Sequence, residues 1–237
     1  MSAHRKAVIV RGGWPGHQPV EATERFIPFL EVQGFDVRVE ESTAVYADAA
    51  AMAETDLIVQ CITMGEIAAE EVAGLRSAIE AGTGFTGWHG GIVDSFRASS
   101  DYLQLVGGIF ASHPGVGPGV AHAEGEAHFR DHTVNITDLG RQHPVTAGIE
   151  DFDLHTEQYW VLFDNLSDVL ATTTHPSEPE QQWHRPHTSP AVWTRQWGAG
   201  RIVVSTPGHS VDVLDHPSVR TIIERGMLWA ARTASAS

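Results

Sequence analysis

The sequence GFTGWHGG, residues 84–91, contains a strand pattern that runs into a glycine-rich turn. A G-x-nucleophile-x-G pattern between a strand and a helix forms a sharp elbow that lifts one side chain into a cleft. Here the lifted residue is His89, and small residues are needed around it because the strand and the helix approach closely. The alternative is a plain glycine-rich turn in which His89 only caps the helix. We favour the elbow.

Upstream of this turn, short apolar runs alternate with helical patterns. The strand patterns lie at 7–10, 37–39, 57–62 and 84–87, and the helical patterns lie at 21–33 and 66–80. The run LIVQCI at 57–62 is continuously apolar, which is typical of an interior parallel strand buried on both faces. The alternation predicts an α/β fold with an open, mainly parallel, flavodoxin-like sheet and helices on both faces.

The second half of the chain is less regular. Strand patterns lie near 129–136, 169–173, 191–197 and 201–205, a Gly/Pro-rich loop at 113–122 and a final helix at about 218–232. Gly-Ala-Gly at 198–200 separates two alternating runs and predicts a tight hairpin. We therefore expect antiparallel strands to extend the sheet in the C-terminal half. The absence of a long linker favours one domain over 1–237, with a disordered tail at about 233–237.

The composition argues against several classes of protein. The 237 residues include 15 Lys and Arg against 30 Asp and Glu, a formal net charge of −15. This charge would repel phosphate backbones and anionic lipids, so we expect neither nucleic acid nor membrane as a partner. Cys61 is the only cysteine, which excludes an intramolecular disulfide and favours a small buried side chain. Without a secretory or bilayer-spanning pattern the sequence predicts a cytoplasmic protein, and it leaves open a homo-oligomer.

Polar side chains follow several of the predicted strands. Ligands collect outside the carboxyl ends of parallel strands because the loops converge there and helix N-termini present free N–H groups. His17 lies in the loop after the first strand, and His89 and Asp94 follow the fourth. His209 comes shortly after the strand at 201–205. We expect these residues to lie at one rim of the sheet.

A second candidate group is the segment HTEQY at 155–159. Alternation along an extended segment would put His155, Glu157 and Tyr159 on one face, where they could accept, donate and orient a proton. The histidine and the carboxylate could also form half of a metal site. A solvated strand face with a tyrosine in the core is an equally ordinary outcome, so the alternatives stay open.

The other histidines receive simpler interpretations. Proline holds His143 in an extended conformation, where a turn is the simplest explanation, and His216 is interpreted as a neighbour of the N-cap of the last helix. Six further histidines are interpreted as parts of polar strand faces or surface loops and are assigned to no site: His122, His128, His132, His175, His184 and His187. The polar segment 174–190 is interpreted as a surface loop, and whether it closes over a cleft is left open.

Six motifs in order match a known family. They are GGWPGH (12–17), GFTGWHGG (84–91), DYLQLVGGIFASHPG (101–115), HPVTAGIEDFDLHTEQYW (143–160), SPAVWTRQWGAGRIVVSTPGHS (189–210) and GMLWA (226–230). Together they resemble the ThuA-like (trehalose utilisation) family over nearly the whole chain. The resemblance implies a fold similar to class I glutamine amidotransferases. His89 stands in the place of the elbow cysteine of those enzymes, so glutamine hydrolysis through a thiolate is disfavoured.

The resemblance also implies a sugar ligand: a disaccharide, a glycoside or an oxidised sugar. The cleft residues that it points to are His17, His89, His113, Glu157, Tyr159 and His209. Trp14 and Trp88 lie in the same loops, and either ring could stack on a pyranose or pack in the core. Asp94 is a further candidate for substrate binding.

The chemistry that fits these residues is acid/base catalysis on a sugar derivative such as a 3-keto-glycoside. His89 is the candidate base, Glu157 or His209 the acid, and Tyr159 a hydrogen-bond donor to the substrate. The enolate would be stabilised in one of two ways. The elbow N–H groups could do so, or a divalent metal such as zinc or manganese, held by several of His17, His89, His113 and His209. Glycoside hydrolysis ranks lower because it needs two carboxylates, and only Glu157 is obvious. The alternative is a non-catalytic sugar-binding or regulatory module with the same fold.

Overall fold

The strand Leu57–Thr63 is buried at every residue, as its continuous apolar run predicts. It pairs in parallel with strand Arg5–Gly13 on one side and with Gly84–Trp88 on the other. The structure, a computed structural model, describes residues 5–114, 128–177, 179 and 181–233.

The described strands are numbered in chain order. They are β1 Arg5–Gly13, β2 Phe35–Glu40, β3 Leu57–Thr63, β4 Gly84–Trp88, β5 Gly108–Ser112, β6 Phe129–Ile136, β7 Phe152–Glu157, β8 Trp160–Phe163, β9 Asp168–His175, β10 His187–Trp197 and β11 Gly200–Ser205. The α-helices are α1 Pro19–Glu24, α2 Ile27–Val32, α3 Ala49–Glu54, α4 Ala69–Glu80, α5 Gly90–Val93, α6 Ser100–Val106, α7 Val211–Leu214 and α8 Pro217–Ala230.

Nine strands form one mixed sheet in the order β2-β1-β3-β4-β11-β10-β9-β6-β7. The strands from β2 to β11 pair in parallel, and those from β11 to β7 pair antiparallel. Strands β5 and β8 form a separate two-stranded sheet. The predicted α/β fold, a parallel sheet extended by antiparallel strands, is confirmed.

Helices cover both faces of the sheet. Side chains alternate along β1, so Ile9 packs in one buried cluster with α1, α2, α7 and α8, and Val8 packs in another with α3, α4 and α6. Cys61 is 2% exposed, and burial raises the pKa of its thiol to about 12. The interpretation of Cys61 as a small buried side chain is therefore confirmed.

The main correction to the predicted elements concerns the single helix at 21–33. The structure divides it into α1 and α2, with Phe26 between them and Pro28 in the first turn of α2. Proline has no N–H to donate into a continuous helix and clashes with the preceding turn, so the helix stops and restarts there. The predicted hairpin at 198–200 is present, with Trp197 paired to Gly200 across the turn.

Three predictions fall wholly or partly outside the described residues: the Gly/Pro-rich loop at 113–122 from residue 115 onward, His122, and the tail at 233–237 from residue 234 onward. Among the residues that are described, none of the helices combines the length and apolar content that crossing a membrane would require.

Candidate active site

The strands of the parallel half deliver their histidines to one edge of the sheet. His17 ends a 3-10 turn after β1, His89 follows β4 directly, and His209 follows β11. Because parallel strands point the same way, their carboxyl ends meet, as the sequence predicts. The antiparallel half supplies Glu157 at the end of β7 and Tyr159 just after it.

The elbow at His89 is formed as the glycine pattern predicts. His89 has φ 50° and ψ −143°, and its side chain makes no capping hydrogen bond to α5. A side chain at Gly90 would place its Cβ 2.5 Å from Cε1 of His17, and one at Gly87 would place its Cβ 2.4 Å from the carbonyl oxygen of Gln60. The glycines are therefore required by close approach. The N–H of His89 at the elbow is already engaged, since it donates to the carbonyl of Ser205.

Four side chains converge on one point, with potential ligand atoms all within 4.8 Å of one another: His17, His89, Glu157 and His209. We call this set the Glu157 cluster. Glu157 Oε2 lies 2.9 Å from His89 Nε2 and 3.1 Å from His209 Nδ1. The two imidazole nitrogens, His89 Nε2 and His209 Nδ1, are 3.4 Å apart. A carboxylate thus sits at the centre of a group of imidazoles.

Two histidines of the cluster are each oriented by a hydrogen bond at the ring nitrogen Nδ1. His89 Nδ1 lies 2.8 Å from the carbonyl oxygen of Thr206, and His17 Nδ1 lies 2.8 Å from Oγ1 of Thr63. The carbonyl only accepts, so His89 Nδ1 carries the proton and its Nε2 presents a lone pair to the cluster. The Tyr159 hydroxyl, 2.7 Å from that Nε2, donates to it.

Burial decides the protonation of the cluster. Burial lowers the pKa of His17 to about 2, and it also lowers the pKa of His89. Burial by itself would raise the pKa of Glu157, but its contacts with His209, His89 and His113 together outweigh burial and hold that pKa well below its usual range. Burial raises the pKa of Tyr159 well above its ordinary value. At neutral pH the site therefore holds an ionised carboxylate and a neutral phenol beside neutral His17 and His89 rings.

His113 lies at the open side of the cluster. Its Nε2 is 3.6 Å from Glu157 Oε2, beyond hydrogen-bond distance, and no described residue hydrogen-bonds its buried Nδ1. Its side chain is 17% exposed, and that of His209 is 14% exposed, against 2% for His89. Burial lowers the pKa of His113 to about 4, so its ring is neutral at pH 7. His113 and His209 are the cluster-side imidazoles that solvent reaches.

The two tryptophans predicted for substrate binding have different environments. Trp14 is 44% exposed, and its ring meets that of His17 edge-on at 4.7 Å. Trp88 is 1% exposed and packs against Phe26 at 4.9 Å in the core. The assignment of Trp88 to the cleft is therefore corrected: as part of a central strand, its side chain points into the apolar layer.

Asp94 also lies outside the Glu157 cluster. It is buried, and its carboxylate accepts a hydrogen bond from the guanidinium of Arg97. Its charge acts on Tyr159, whose pKa it raises further after burial and Glu157. Asp94 therefore influences the site as a nearby paired charge.

His155 does not join Glu157 and Tyr159. It is exposed, and its Nδ1 lies 2.8 Å from Asp131 on the neighbouring strand β6. Strand β7 ends at Glu157, so the alternation that would have aligned the three residues does not continue to Tyr159. A surface depression of about 480 Å³ lies beside His155, on β6 and β7, and none of its lining residues belongs to the Glu157 cluster.

Several residues near the site carry no local signal in the sequence. His128 is buried and lies 4.8 Å from His113, ring to ring, yet the sequence places it only at the edge of a strand. Thr206 contributes a backbone carbonyl, which any residue type could supply. Phe129 meets the His209 ring at 5.2 Å.

A second group of histidines lies beyond Tyr159. His175 and His187 were expected in a surface loop, but they end β9 and begin β10. The His187 ring stacks on Trp160 at 3.9 Å, and the His175 ring lies parallel to His187 at 5.8 Å. We call Trp160, His175 and His187 the Trp160 stack. The loop between the two strands is tied to it, since Trp183 contacts Trp160 and donates to the carbonyl of Pro176.

Comparisons with known proteins agree with this architecture. The family model described as ThuA, trehalose utilisation, matches residues 6–230. The chain is similar to solved ThuA-like proteins from Bacteroides uniformis and Parabacteroides merdae, at 16% and 18% identity and TM-scores of 0.70 for both. The alignments cover 95% and 98% of this chain and 91% and 93% of those chains.

A cytoplasmic protein from Salmonella typhimurium is similar at 10% identity and a TM-score of 0.58, over 97% of this chain and 100% of that one. At these identities the solved structures show the fold alone. A search of curated proteins finds no match.

Proposed function

The chain belongs to the ThuA, or trehalose utilisation, family, and from this premise we propose that it is an enzyme of sugar metabolism that moves a proton at a carbon next to a carbonyl, with a 3-keto-glycoside as substrate. Membership of the family suggests a sugar-related role, and we propose the reaction itself from the residues of the site. The observation that carries it is the position of two accessible imidazoles, His113 and His209, above the buried Glu157–His89 pair.

A keto group makes the neighbouring C–H acidic enough for an imidazole to remove its proton. His113 suits this role because its ring is neutral at pH 7 and neither of its nitrogens is within hydrogen-bond distance of a described residue. The proton that His113 takes from the carbon can be returned to the departing glycosidic oxygen. A C=C bond forms beside the carbonyl as the glycosidic C–O bond breaks, so the second sugar leaves with no other co-reactant.

The buried residues would set the position of this reaction. Glu157, which His209 and His89 contact, provides a fixed negative charge beside His113 and stabilises the imidazolium that forms there. Trp14, exposed at the edge of His17, offers a face for a pyranose ring. These roles revise the expected base from His89 to His113, because the His89 ring is buried and its Nε2 already contacts Glu157 and Tyr159.

Hydrolysis by two carboxylates is less well supported. That mechanism needs a second carboxylate across the bond from the first. Among the described residues, the cluster contains one carboxylate, Glu157, and Asp94 is paired with Arg97. A cytoplasmic location is part of the same proposal, and it is supported by the single buried thiol of Cys61, which has no disulfide partner in the chain.

The test is incubation with a 3-keto-disaccharide in D₂O, followed by NMR and mass spectrometry. We expect deuterium at the carbon next to the carbonyl in the recovered substrate, and an elimination product that is lighter than the hydrolysis product by one water. His113→Ala should abolish both, and the exposed-site control His155→Ala should keep both. Exchange that persists in His113→Ala would remove the assigned base. Binding of the sugar without exchange or cleavage in the wild type would instead support a non-catalytic sugar-binding module.

A further inference from the structure

The Glu157 cluster contains two lone pairs that face each other. His89 Nδ1 must carry the ring proton because its partner is the carbonyl of Thr206, so Nε2 presents a lone pair. Glu157 Oε2, an ionised carboxylate oxygen, is only 2.9 Å away. The Tyr159 hydroxyl lies 2.7 Å from the same Nε2, and it has to donate elsewhere when an ion binds, because an imidazole nitrogen has one lone pair. Two acceptors at this distance repel unless a proton or a cation lies between them, and the two further imidazoles that converge on the same point favour a cation.

We infer that a divalent transition-metal ion binds in the Glu157 cluster, held by His17, His89, Glu157 and His209. The separations of three of the ligand atoms suit this, and the fourth, from His17, lies within 4.8 Å of the others and would move closer to a bound ion. An ion with metal–ligand bonds of about 2.0–2.1 Å in tetrahedral geometry keeps its ligands about 3.3 Å apart. The three separations among Glu157 Oε2, His89 Nε2 and His209 Nδ1 are 2.9, 3.1 and 3.4 Å.

The outer contacts of the cluster are those of metal-binding histidines. A ligating imidazole usually donates its second N–H to a carbonyl, carboxylate or hydroxyl that fixes the ring. His89 has the Thr206 carbonyl in this position, and His17 has the Thr63 hydroxyl. In both rings Nδ1 is used by the outer partner, which leaves Nε2 for the ion.

The donor types narrow the choice of ion. Three imidazoles and one carboxylate suit zinc and its first-row neighbours better than magnesium or calcium, which prefer all-oxygen sites. Glu157 takes the place in the ligand set that the sequence suggested for His113, whose Nε2 stands 3.6 Å from the carboxylate and outside the converging atoms.

Metal binding is measured without any sugar, so its outcome is separate from that of the proposed reaction. Chelator-treated protein is titrated with Zn²⁺ and, in a parallel arm, with Mn²⁺, and bound metal is counted after gel filtration. We expect one ion per chain for at least one of the two ions, and a rise in melting temperature with that ion. His155→Ala, a surface histidine outside the cluster, should bind as the wild type does.

Two kinds of variant keep the test decisive. Glu157→Gln keeps the shape of the side chain and should weaken binding by more than the ~10–100-fold that loss of an outer partner costs. Thr63→Val removes only the hydroxyl behind His17 and should weaken binding by ~10–100-fold with the fold intact by circular dichroism. Substoichiometric uptake of both ions by the wild type would overturn the inference. So would Glu157→Gln and Thr63→Val binding as tightly as the wild type.

Discussion

The Glu157 cluster and the Trp160 stack are two groups of histidines in one molecule, and the cluster is built around a carboxylate whereas the stack is built on a tryptophan ring. Burial lowers the pKa of His175 in the stack to about 4, much as it lowers the pKa of His113 beside the cluster. In the stack the rings lie face to face and pack as aromatic side chains. In the cluster the rings turn their edges and nitrogen atoms toward Glu157.

The difference shows that histidine content and burial do not by themselves indicate chemistry. Parallel imidazole faces gain packing area and leave their nitrogens to local hydrogen bonds, such as that from His175 Nε2 to the Tyr159 carbonyl. A central charge instead draws ring edges together. The carboxylate therefore separates the arrangement that we propose to be reactive from a structural one.

The largest effect should come from removing that charge. Glu157→Gln should lower kcat for the keto-sugar by ~10²–10³-fold, the usual cost of removing one group that stabilises charge in the transition state, with the fold intact by circular dichroism. The matched change in the stack, His187→Phe, keeps the stacked ring and should leave kcat unchanged. Steady-state kinetics on both variants checks this. Equal losses in the two variants would show that the carboxylate does not distinguish the groups.

The Trp160 stack should make the free energy of unfolding depend on pH. The folded pKa of His175, about 4, lies below its unfolded value of about 6.5, so the unfolded state binds the proton first as pH falls. His175 thus favours folding fully above pH 6.5, and this advantage is lost as the pH falls toward 4. The difference in unfolding free energy, His175→Phe minus wild type, should therefore rise by up to about 3 kcal/mol as the pH falls from 6.5 to 4. Urea titrations at several pH values measure it.

A flat difference between the wild type and His175→Phe from pH 6.5 to 4 would contradict the assignment. It would mean that His175 titrates normally and that the stack opens to water. The variant keeps an aromatic ring beside His187, so packing is largely matched.

A smaller effect should distinguish two tryptophans, the exposed Trp14 and the partly buried Trp183. Trp14 meets His17 in the cluster at 4.7 Å, and Trp183 meets Trp160 in the stack at 5.2 Å, both edge-on. Trp14→Ala should raise KM for the sugar by an amount equivalent to about 1 kcal/mol, or roughly fivefold, without a change in kcat. Trp183→Ala should leave KM unchanged. A KM effect in Trp183→Ala alone would move the sugar site to the stack.

The smallest effect is expected at the surface histidine that the sequence grouped with Glu157. His155 and Asp131 form an exposed pair, and such pairs contribute about 0–1 kcal/mol. His155→Ala should therefore change the unfolding free energy by less than about 0.5 kcal/mol and leave turnover intact. Denaturant melts and kinetics test both parts, with Asp131→Ala as the partner control. Loss of turnover in His155→Ala would return His155 to the site.

The sequence predicted the elements best where a local pattern has one cause. The apolar run of β3 and the glycine elbow at His89 both appear as expected, because each depends on neighbours in the chain. The single helix at 21–33 was wrong because Pro28 interrupts the hydrogen bonds that its apolar spacing suggested. His175 and Trp88 were misplaced because polarity and loop position do not reveal which side chains a neighbouring strand will cover.

The sequence by itself determined the order of strands and helices, the family, and the placement of His17, His89 and His209 after parallel strands, since these follow from local periodicity and turn chemistry. Only the tertiary structure decided that Glu157 meets His89 across 68 residues and that His209 meets it across 120. Sheet order and side-chain direction set such contacts, and they depend on packing of the whole chain. The same packing turned His155 to solvent and brought Glu157 to the centre of the imidazoles.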